Sequence, residues 1–501
     1  METKRAEAEL LGHVDCHEIT KSFSKDVEAG PVEIQGDAQT IHDNSHLPKS
    51  WSRSKKWTAT FILSAFAFLQ PLSETMLAPA RVQVSSDLHV SQDYEWLLVN
   101  SLILVGVGLS PLLLAPLSEV YGRKPILVTG TIVFLVWNTG CGTAATLGQM
   151  FAFRLLSGFG ACAADAVTGG FISDLWDAEE RGKAFAIFMA GPLLGPALGP
   201  ICGAFISQGT TWRWVFYATS IASAVVMFIA IVFLHETYEP RIQTLLHRKM
   251  DKETEIPEKW PNKQGVMDFL KLMRTPLQRP FRMLGTQIIM QLLAFYMALL
   301  YGTMFLFLFM YPIMWTELYG ESVRIGSLNY ISLSIGLIIG VNIAGHLNDY
   351  IYRKLKARNN GIGRPEFRVP TMILGTALVL VGLLWWGWSG QAKLHWIMPN
   401  IGSALFAMGV YVCSGCVSIY TIDTYPQYAA SAISTNLVLR SITAAFFPLF
   451  APYMFNALGL GLGATVLGCS FAAFGTVVIA ILWFFGESLR AKSPYCAAIN
   501  A

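Results

Sequence analysis

The chain has 501 residues, of which 53% are hydrophobic and only 14% are charged. Ordinary soluble domains contain roughly 25% charged residues, so this composition excludes a soluble globular protein and indicates an integral membrane protein. The formal net charge of +3 does not indicate nucleic-acid binding. Because each membrane span uses about 20 residues, little of the chain is left for a separate soluble domain.

The chain begins with a polar segment, residues 1–52, which has no secretory apolar region and is predicted to be a disordered cytosolic tail. Apolar runs of spanning length follow in 53–234 and again in 284–487. The polar stretch 235–283 between them is predicted to be a cytosolic central loop, and 488–501 a second cytosolic tail. The predicted spans are 57–79, 95–117, 126–146, 148–172, 184–206, 214–234, 284–311, 326–346, 369–389, 394–420, 431–455 and 464–485.

Basic residues between the spans predict the orientation. One side of the membrane carries most of them, and the other holds only Arg81, Arg213, Arg324 and Lys393. By the positive-inside rule, both termini are predicted to be cytoplasmic.

An internal repeat divides the chain into two six-helix halves. The stretch APLSEVYGRK at 115–124 follows the second span of one half, and GHLNDYIYRK at 345–354 follows the second span of the other. Both place a carboxylate four residues before an arginine, which basic turns alone do not require. We therefore predict two cytosolic latches, Glu119 with Arg123 and Asp349 with Arg353, which break when the halves rock.

The fifth predicted span contains GPLLGPALGPICG at 191–203, with a glycine at every fourth position. Three interior prolines would break a soluble helix, but a membrane helix tolerates them because its neighbours satisfy the freed carbonyls. The glycines predict a groove without side chains that permits close helix approach. A kinked helix with ordinary small-residue packing would have the same geometry.

These motifs resemble the major facilitator superfamily, whose cytosolic signature reads GxLaDrxGRK. This chain departs from it at Ala115, Glu119 and Val120. The fifth span resembles the antiporter motif GxxxGPxxGG, matched by Gly191, Gly195, Pro196 and Gly199, with Pro200 in place of the last glycine. Other stretches resemble fungal twelve-span drug:proton antiporters: WRWVF at 212–216, HETYEP at 235–240, QRPF at 278–281, GRPEFR at 363–368 and DTYPQYAASA at 423–432.

The resemblance implies an all-α major facilitator fold with about twelve transmembrane helices. It also implies that the fifth span lies against the second half, so that the glycine groove would form a watertight seam between the halves. It makes the first and fourth spans neighbours that line the cavity.

Charged residues inside spans are costly and usually functional. Glu74 and Arg154 lie at similar depths, and the resemblance makes an interaction between them an expectation. Asp165 lies further along the fourth span, where Arg440 would face it across the cavity unless Arg440 pairs with Asp423. Glu74, Asp165 and Arg154 are the predicted proton-coupling residues, and a purely structural hydrogen bond is the alternative for each carboxylate.

The seventh span, QLLAFYMALLYGTMFLFLFMYP, is rich in aromatic residues and methionine. Such a lining suits varied apolar ligands, although lipid contact would explain it equally well. From this span we predict Gln291, Tyr296 and Tyr301, together with Arg440, as substrate-cavity residues.

The predicted function is proton-coupled export of a small, mostly hydrophobic drug, toxin or secondary metabolite by alternating access. The alternatives are an organic-anion carrier of mono- or dicarboxylates and a non-transporting membrane receptor. We predict no enzyme activity, no metal and no cofactor other than the proton gradient. A Walker lysine is absent, so transport driven by ATP through this chain alone is not expected. The expected partners are the substrate, protons and the lipid bilayer, and no nucleic acid is expected. We predict a monomer in the plasma membrane, with the vacuolar membrane as the alternative.

Overall fold

A computed structural model describes residues 48–176, 178–244, 278–425, 429–493 and 496. The predictions for most of the N-terminal tail and most of the central loop lie outside these residues. The chain divides into residues 1–50, of which the turn Pro48–Ser50 is described, and a unit from Trp51 to Ala501. The larger unit contains all the long helices, and within the described residues it has no strand.

The first half contains six long helices, two of which are interrupted. Helix α1 is continued by the short helices Ala78–Ala80 and Arg81–Asp87. The bounds are α1 Arg53–Thr75, α2 Asp93–Tyr121, α3 Arg123–Thr143, α4 Leu147–Ala161 and Ala163–Leu175, α5 Ala178–Gly209, and α6 Arg213–Phe233.

The second half repeats this pattern. A π-helical turn, Met314–Leu318, extends α7, and a short helix, Val323–Leu328, precedes α8. The bounds are α7 Ile288–Ile313, α8 Tyr330–Arg358, α9 Val369–Gln391, α10 Ile397–Thr424, α11 Ala429–Phe446 and α12 Ala451–Ala491.

The helices have the length and composition to cross a membrane. In the described residues 10 segments meet both requirements, and 11 do if the bent pair Ile187–Pro196 and Leu198–Gly209 forms one span. This pair lies in α5, where the interior prolines explain its 44° bend. The last segment, Ser431–Ala491, has 61 residues and contains both α11 and α12, so the described helices match the predicted set of about twelve.

One predicted boundary is wrong. The eleventh span was expected to run from 431 to 455, but α11 ends at Phe446 and the 3-10 turn Phe447–Phe450 leads into α12. Helix α12 is then broken at Gly459, whose φ of 76° lies in the left-handed region that favours glycine. The turn and the first part of α12 are as apolar as a span, so hydropathy could not separate them.

The helix ends define two sides of the molecule. We call the side where α1, α3 and α5 begin the basic side, because it carries the basic links, and the other the opposite side. The two halves meet where α2 packs on α11 and where α5 packs on α8. At the first contact a Cβ on Gly108 would lie 2.5 Å from Cβ of Ser441, so only glycine permits this approach.

On the opposite side the halves are closed by apolar packing. Leu77 and Trp96 of the first half belong to one buried cluster with Phe309 and Met310 of the second. Within the described chain, the ion pairs at the basic side join helices of the same half. The structure is therefore closed on the opposite side by contacts between the halves.

Candidate functional site

Glu74 occupies the last turn of α1, near the junction of the two halves. Its side chain is buried, and its Oε1 accepts a hydrogen bond of 3.1 Å from Nε2 of Gln70, one turn earlier. Arg154, Asp165 and Arg440 all lie close enough to act on Glu74 electrostatically. A buried carboxylate thus faces charges from both halves.

Asp165 lies in the second segment of α4, in the middle of the span. It is nevertheless solvent-exposed and lies within electrostatic range of Arg440 in the other half. Gly169, one turn closer to the basic side, is also exposed, and a Cβ added there would meet no atom within 4 Å. Since Asp165 is exposed and within electrostatic range of Arg440 in the other half, we infer that the space beside it is a cavity between the halves, open on the basic side.

Arg440 of α11 supplies the cation on the second-half side of this cavity. Its Nη1 donates to the Tyr301 hydroxyl at 3.1 Å, and its guanidinium carbon lies 4.4 Å from the centre of the Tyr301 ring. The Tyr301 hydroxyl is also 3.4 Å from Oγ of Ser414. Tyr301 thus holds Arg440 in place. Of the two alternatives for Arg440, pairing with Asp423 is ruled out because Asp423 binds Arg368.

Arg154 has a different environment from the one predicted. Its Nε donates to the carbonyl of Val99 at 2.9 Å and its Nη2 to that of Asn100 at 3.2 Å, and its guanidinium carbon lies 5.7 Å from the centre of the Phe216 ring. Its side chain is fully buried and forms no ion pair with Glu74. We correct the prediction accordingly: Arg154 ties α4 to α2 and acts on Glu74 only through space. Backbone carbonyls carry no sequence signal, so this partner was not predictable.

Two predicted cavity residues lie elsewhere. Tyr296 is fully buried inside the second half, where its hydroxyl bonds Oγ1 of Thr376 at 2.8 Å and Sγ of Cys413 at 3.0 Å. Gln291 is exposed at the first turn of α7 and donates to the carbonyl of Leu284 at 2.9 Å. These two assignments are therefore corrected, since aromatic content alone does not identify the face of a helix.

The glycines of α5 face α1, within the first half. A Cβ on Gly195 would lie 2.5 Å from Cγ of Pro71, and one on Gly199 would meet Thr75 closer than a van der Waals contact. The predicted seam between the halves is therefore wrong for this face of α5. Since Glu74 lies between Pro71 and Thr75, the groove instead sets the position of the α1 turn that carries Glu74.

At the basic side of the first half, Arg123 joins α3 to α4. Its Nε lies 3.7 Å from Oδ2 of Asp174, and its Nη1 donates to Oγ of Ser118 at 2.7 Å. The side chain of Glu119 lies outside the described atoms, so its latch with Arg123 stays a prediction. Asp174 is a partner of Arg123 that the repeat did not indicate.

Glu236 stabilises the start of α3. Its carboxylate accepts the backbone N–H of Arg123 at 2.9 Å and that of Lys124 at 3.1 Å. A carboxylate at a helix N-terminus satisfies free N–H groups and complements the helix dipole. Glu236 belongs to HETYEP, which the resemblance singled out without indicating this role.

In the second half the predicted latch has the wrong arginine. Asp349 accepts a 2.7 Å bond from Nη1 of Arg368, whose Nε also donates to Oδ2 of Asp423 at 3.2 Å. Arg353 is exposed and reaches only the backbone carbonyl of Asp349, at 3.3 Å. Arg368 at the start of α9 therefore corresponds to Arg123 at the start of α3. The sequence repeat aligns Arg123 with Arg353 instead.

Two helical halves that enclose a charged cavity, closed on one side and open on the other, define a membrane transporter rather than an enzyme. The chain belongs to the Major Facilitator Superfamily, whose family model matches residues 63–448. The predicted family and fold are thereby confirmed, and the receptor alternative is set aside.

Relatives and solved structures agree with this assignment. The chain is 42% identical over 480 residues to a protein named efflux pump vrtL from Penicillium aethiopicum, covering 94% of this chain and 93% of the relative. It is 36% identical over 453 residues to MFS transporter cpaT from Aspergillus oryzae, covering 90% and 91%. The proton:xylose symporter XylE has the same fold, with a TM-score of 0.63 at 14% identity, covering 87% of this chain and 96% of that one.

Proposed function

We propose that this protein exports a small, mostly hydrophobic organic compound in exchange for protons, by alternating access. The observation that carries the proposal is a pair of carboxylates near the junction of the halves, the buried Glu74 and the exposed Asp165, both within electrostatic range of Arg440 in the other half. Protonation of either carboxylate changes its attraction to the second half, which is what coupling to a rocking motion requires.

The transport cycle follows from this arrangement. With the cavity open on the basic side, cargo enters beside the ionised Asp165 and near Tyr301 and Arg440. After the halves rock, protons from the opposite side neutralise the carboxylates and cargo leaves. The membrane potential contributes about 2.3 kcal/mol per charge per 100 mV, and each pH unit about 1.4 kcal/mol. One proton thus sustains roughly a several-hundredfold cargo gradient.

The direction and the membrane belong to the same proposal. By the positive-inside rule the basic side faces the cytoplasm, and both termini would then lie in the cytosol. The proposal further takes the protein to be a monomer in the plasma membrane. The relative named an efflux pump supports outward transport. Drugs and secondary metabolites are the cargo class, and no cofactor beyond the proton gradient is needed.

Purified protein in liposomes with an imposed pH gradient tests the proposal, using a panel of neutral and cationic toxins and secondary metabolites. Glu74→Gln and Asp165→Asn are fixed in the neutral form, so they should lose gradient-driven accumulation but retain exchange of cargo down its own gradient. Glu239→Gln, which alters an exposed carboxylate on the basic side, should behave as wild type. Full gradient-driven accumulation in both cavity variants would contradict the assignment.

An organic-anion carrier is the second candidate. It is favoured by Arg440, a partly exposed cation held at the cavity by Tyr301. Arg154 is the other arginine that could bind a carboxylate, but it is fully buried and donates to two backbone carbonyls, which leaves Arg440 for this role. A dicarboxylate assayed beside a neutral toxin in the same liposomes separates the two functions.

A further inference from the structure

A small cavity lies inside the first half, apart from the cavity between the halves. Residues of α1, α3, α4 and α6 line a space of about 20 Å³. Its lining combines apolar residues with three polar side chains: Gln70, Thr131 and Ser223. Such a volume is far too small for an organic cargo, which needs a pocket of about 300 Å³ or more.

Two polar atoms at this cavity lack partners in the described part of the chain. Oε1 of Gln70 and Oγ of Ser223 are both buried, and neither has a hydrogen-bond partner among the described residues. Oγ1 of Thr131 donates to the carbonyl of Leu127 at 2.8 Å, which leaves its lone pairs able to accept. Since buried polar atoms without partners are costly, two such atoms and a third that can still accept, all around one cavity, point to a polar ligand.

We propose that this cavity binds one water molecule, which bridges Gln70 Oε1 and Ser223 Oγ and makes Gln70 a positioning residue for Glu74. A water needs roughly 10–15 Å³ and typically about three polar partners, and this cavity supplies both. The inference rests on the proposed proton-coupling role of Glu74.

The water determines which end of the Gln70 amide faces Glu74. The amide nitrogen already donates to Glu74 Oε1 at 3.1 Å. A water that donates to Gln70 Oε1 holds the amide in this orientation, whereas a flipped amide would present its oxygen to the carboxylate. The other charged groups that act on Glu74 are Arg154 and Asp165 from α4 and Arg440 from α11. Arg81 lines, together with Glu74, a separate cavity of about 40 Å³ between the halves, toward the opposite side.

Infrared titration of the purified, reconstituted full-length protein tests the inference without any cargo. The carboxyl C=O band of protonated Glu74 is identified by its loss in Glu74→Gln, and its midpoint pH is measured in each variant. Gln70→Leu removes the donor to the ionised form, so the midpoint should rise by about one pH unit, a tenfold change in proton affinity. Ser223→Ala should move it in the same direction by a smaller amount.

Ser157→Ala is the matched control, because Ser157 is a buried serine of the same half whose hydroxyl donates to a carbonyl of its own helix at 2.9 Å. It should leave the midpoint unchanged. Exchange into H2(18)O should also shift a water O–H band in the wild type that is missing in Ser223→Ala.

A Glu74 band that titrates identically in wild type and Ser223→Ala would overturn the inference while leaving proton-coupled export standing. If the Glu74 band does not titrate at all, the inference fails as well, and Asp165 alone would have to carry the proton in the proposed function.

Discussion

Replacing Gly191 by alanine should loosen the contact between α5 and α1. The added Cβ would meet the carbonyl of Ser64, and it would lie 2.8 Å from the Ser64 hydroxyl, which donates to the carbonyl of Phe188 at 3.0 Å. Because the obstacle is backbone, α1 itself must shift. Overpacking of this kind costs about 1–3 kcal/mol.

Two smaller effects nearly cancel. Alanine is a better helix former than glycine by about 1 kcal/mol, and disturbing the Ser64 hydrogen bond costs about 1 kcal/mol. The expected net loss of stability in Gly191→Ala is therefore about 1–3 kcal/mol. It would be measured as a lower apparent unfolding temperature of the purified protein in detergent.

Gly209→Ala provides the matched control on the same helix. A Cβ at Gly209 would meet no atom within 4 Å. Because Gly209 is the last residue of α5, the helix-forming advantage of alanine is small there, so the effect should stay within about 0.5 kcal/mol. Equal unfolding temperatures for the two variants would refute the argument that the glycine face of α5 is a close contact with α1.

Two further predictions concern arginines. Arg368→Ala leaves Asp349 and Asp423 without their common partner, so the accessibility of cysteines introduced at the basic side should rise. Arg353→Ala is the control, because Arg353 is on the same side but exposed, and it should not change this accessibility. Equal effects of the two substitutions would instead support the latch predicted from the repeat. Arg154→Met removes the donors to two carbonyls of α2 and should destabilise the protein by about 2 kcal/mol or more. A stable Arg154→Met protein that has lost coupling would instead support the proton-coupling role.

Much of the architecture follows from hydropathy, because apolar runs of spanning length alternate with polar or basic links along most of the chain. The exception is the turn at Phe447–Phe450, where a loop lies at the opposite side among apolar residues. There hydropathy contains no information, and the left-handed Gly459 is indistinguishable by composition from a packing glycine.

The site was predictable in its charges but not in its partners. Glu74, Asp165 and Arg440 stand out because charges inside spans are rare. What each arginine binds depends on the three-dimensional arrangement: Arg154 binds carbonyls, and Arg368 takes the place that the sequence repeat assigns to Arg353. Gln70 could not be predicted as a site residue, because an uncharged amide in a span has no distinctive sequence pattern.

The apolar closure on the opposite side has a thermodynamic consequence. Opening that side would expose surface of Leu77, Trp96, Phe309 and Met310 to water. Exposure of apolar surface raises the heat capacity by about 0.45 cal/mol/K for each Å². The free-energy difference between the form closed on the opposite side and the form open there should therefore vary with temperature along a curved line.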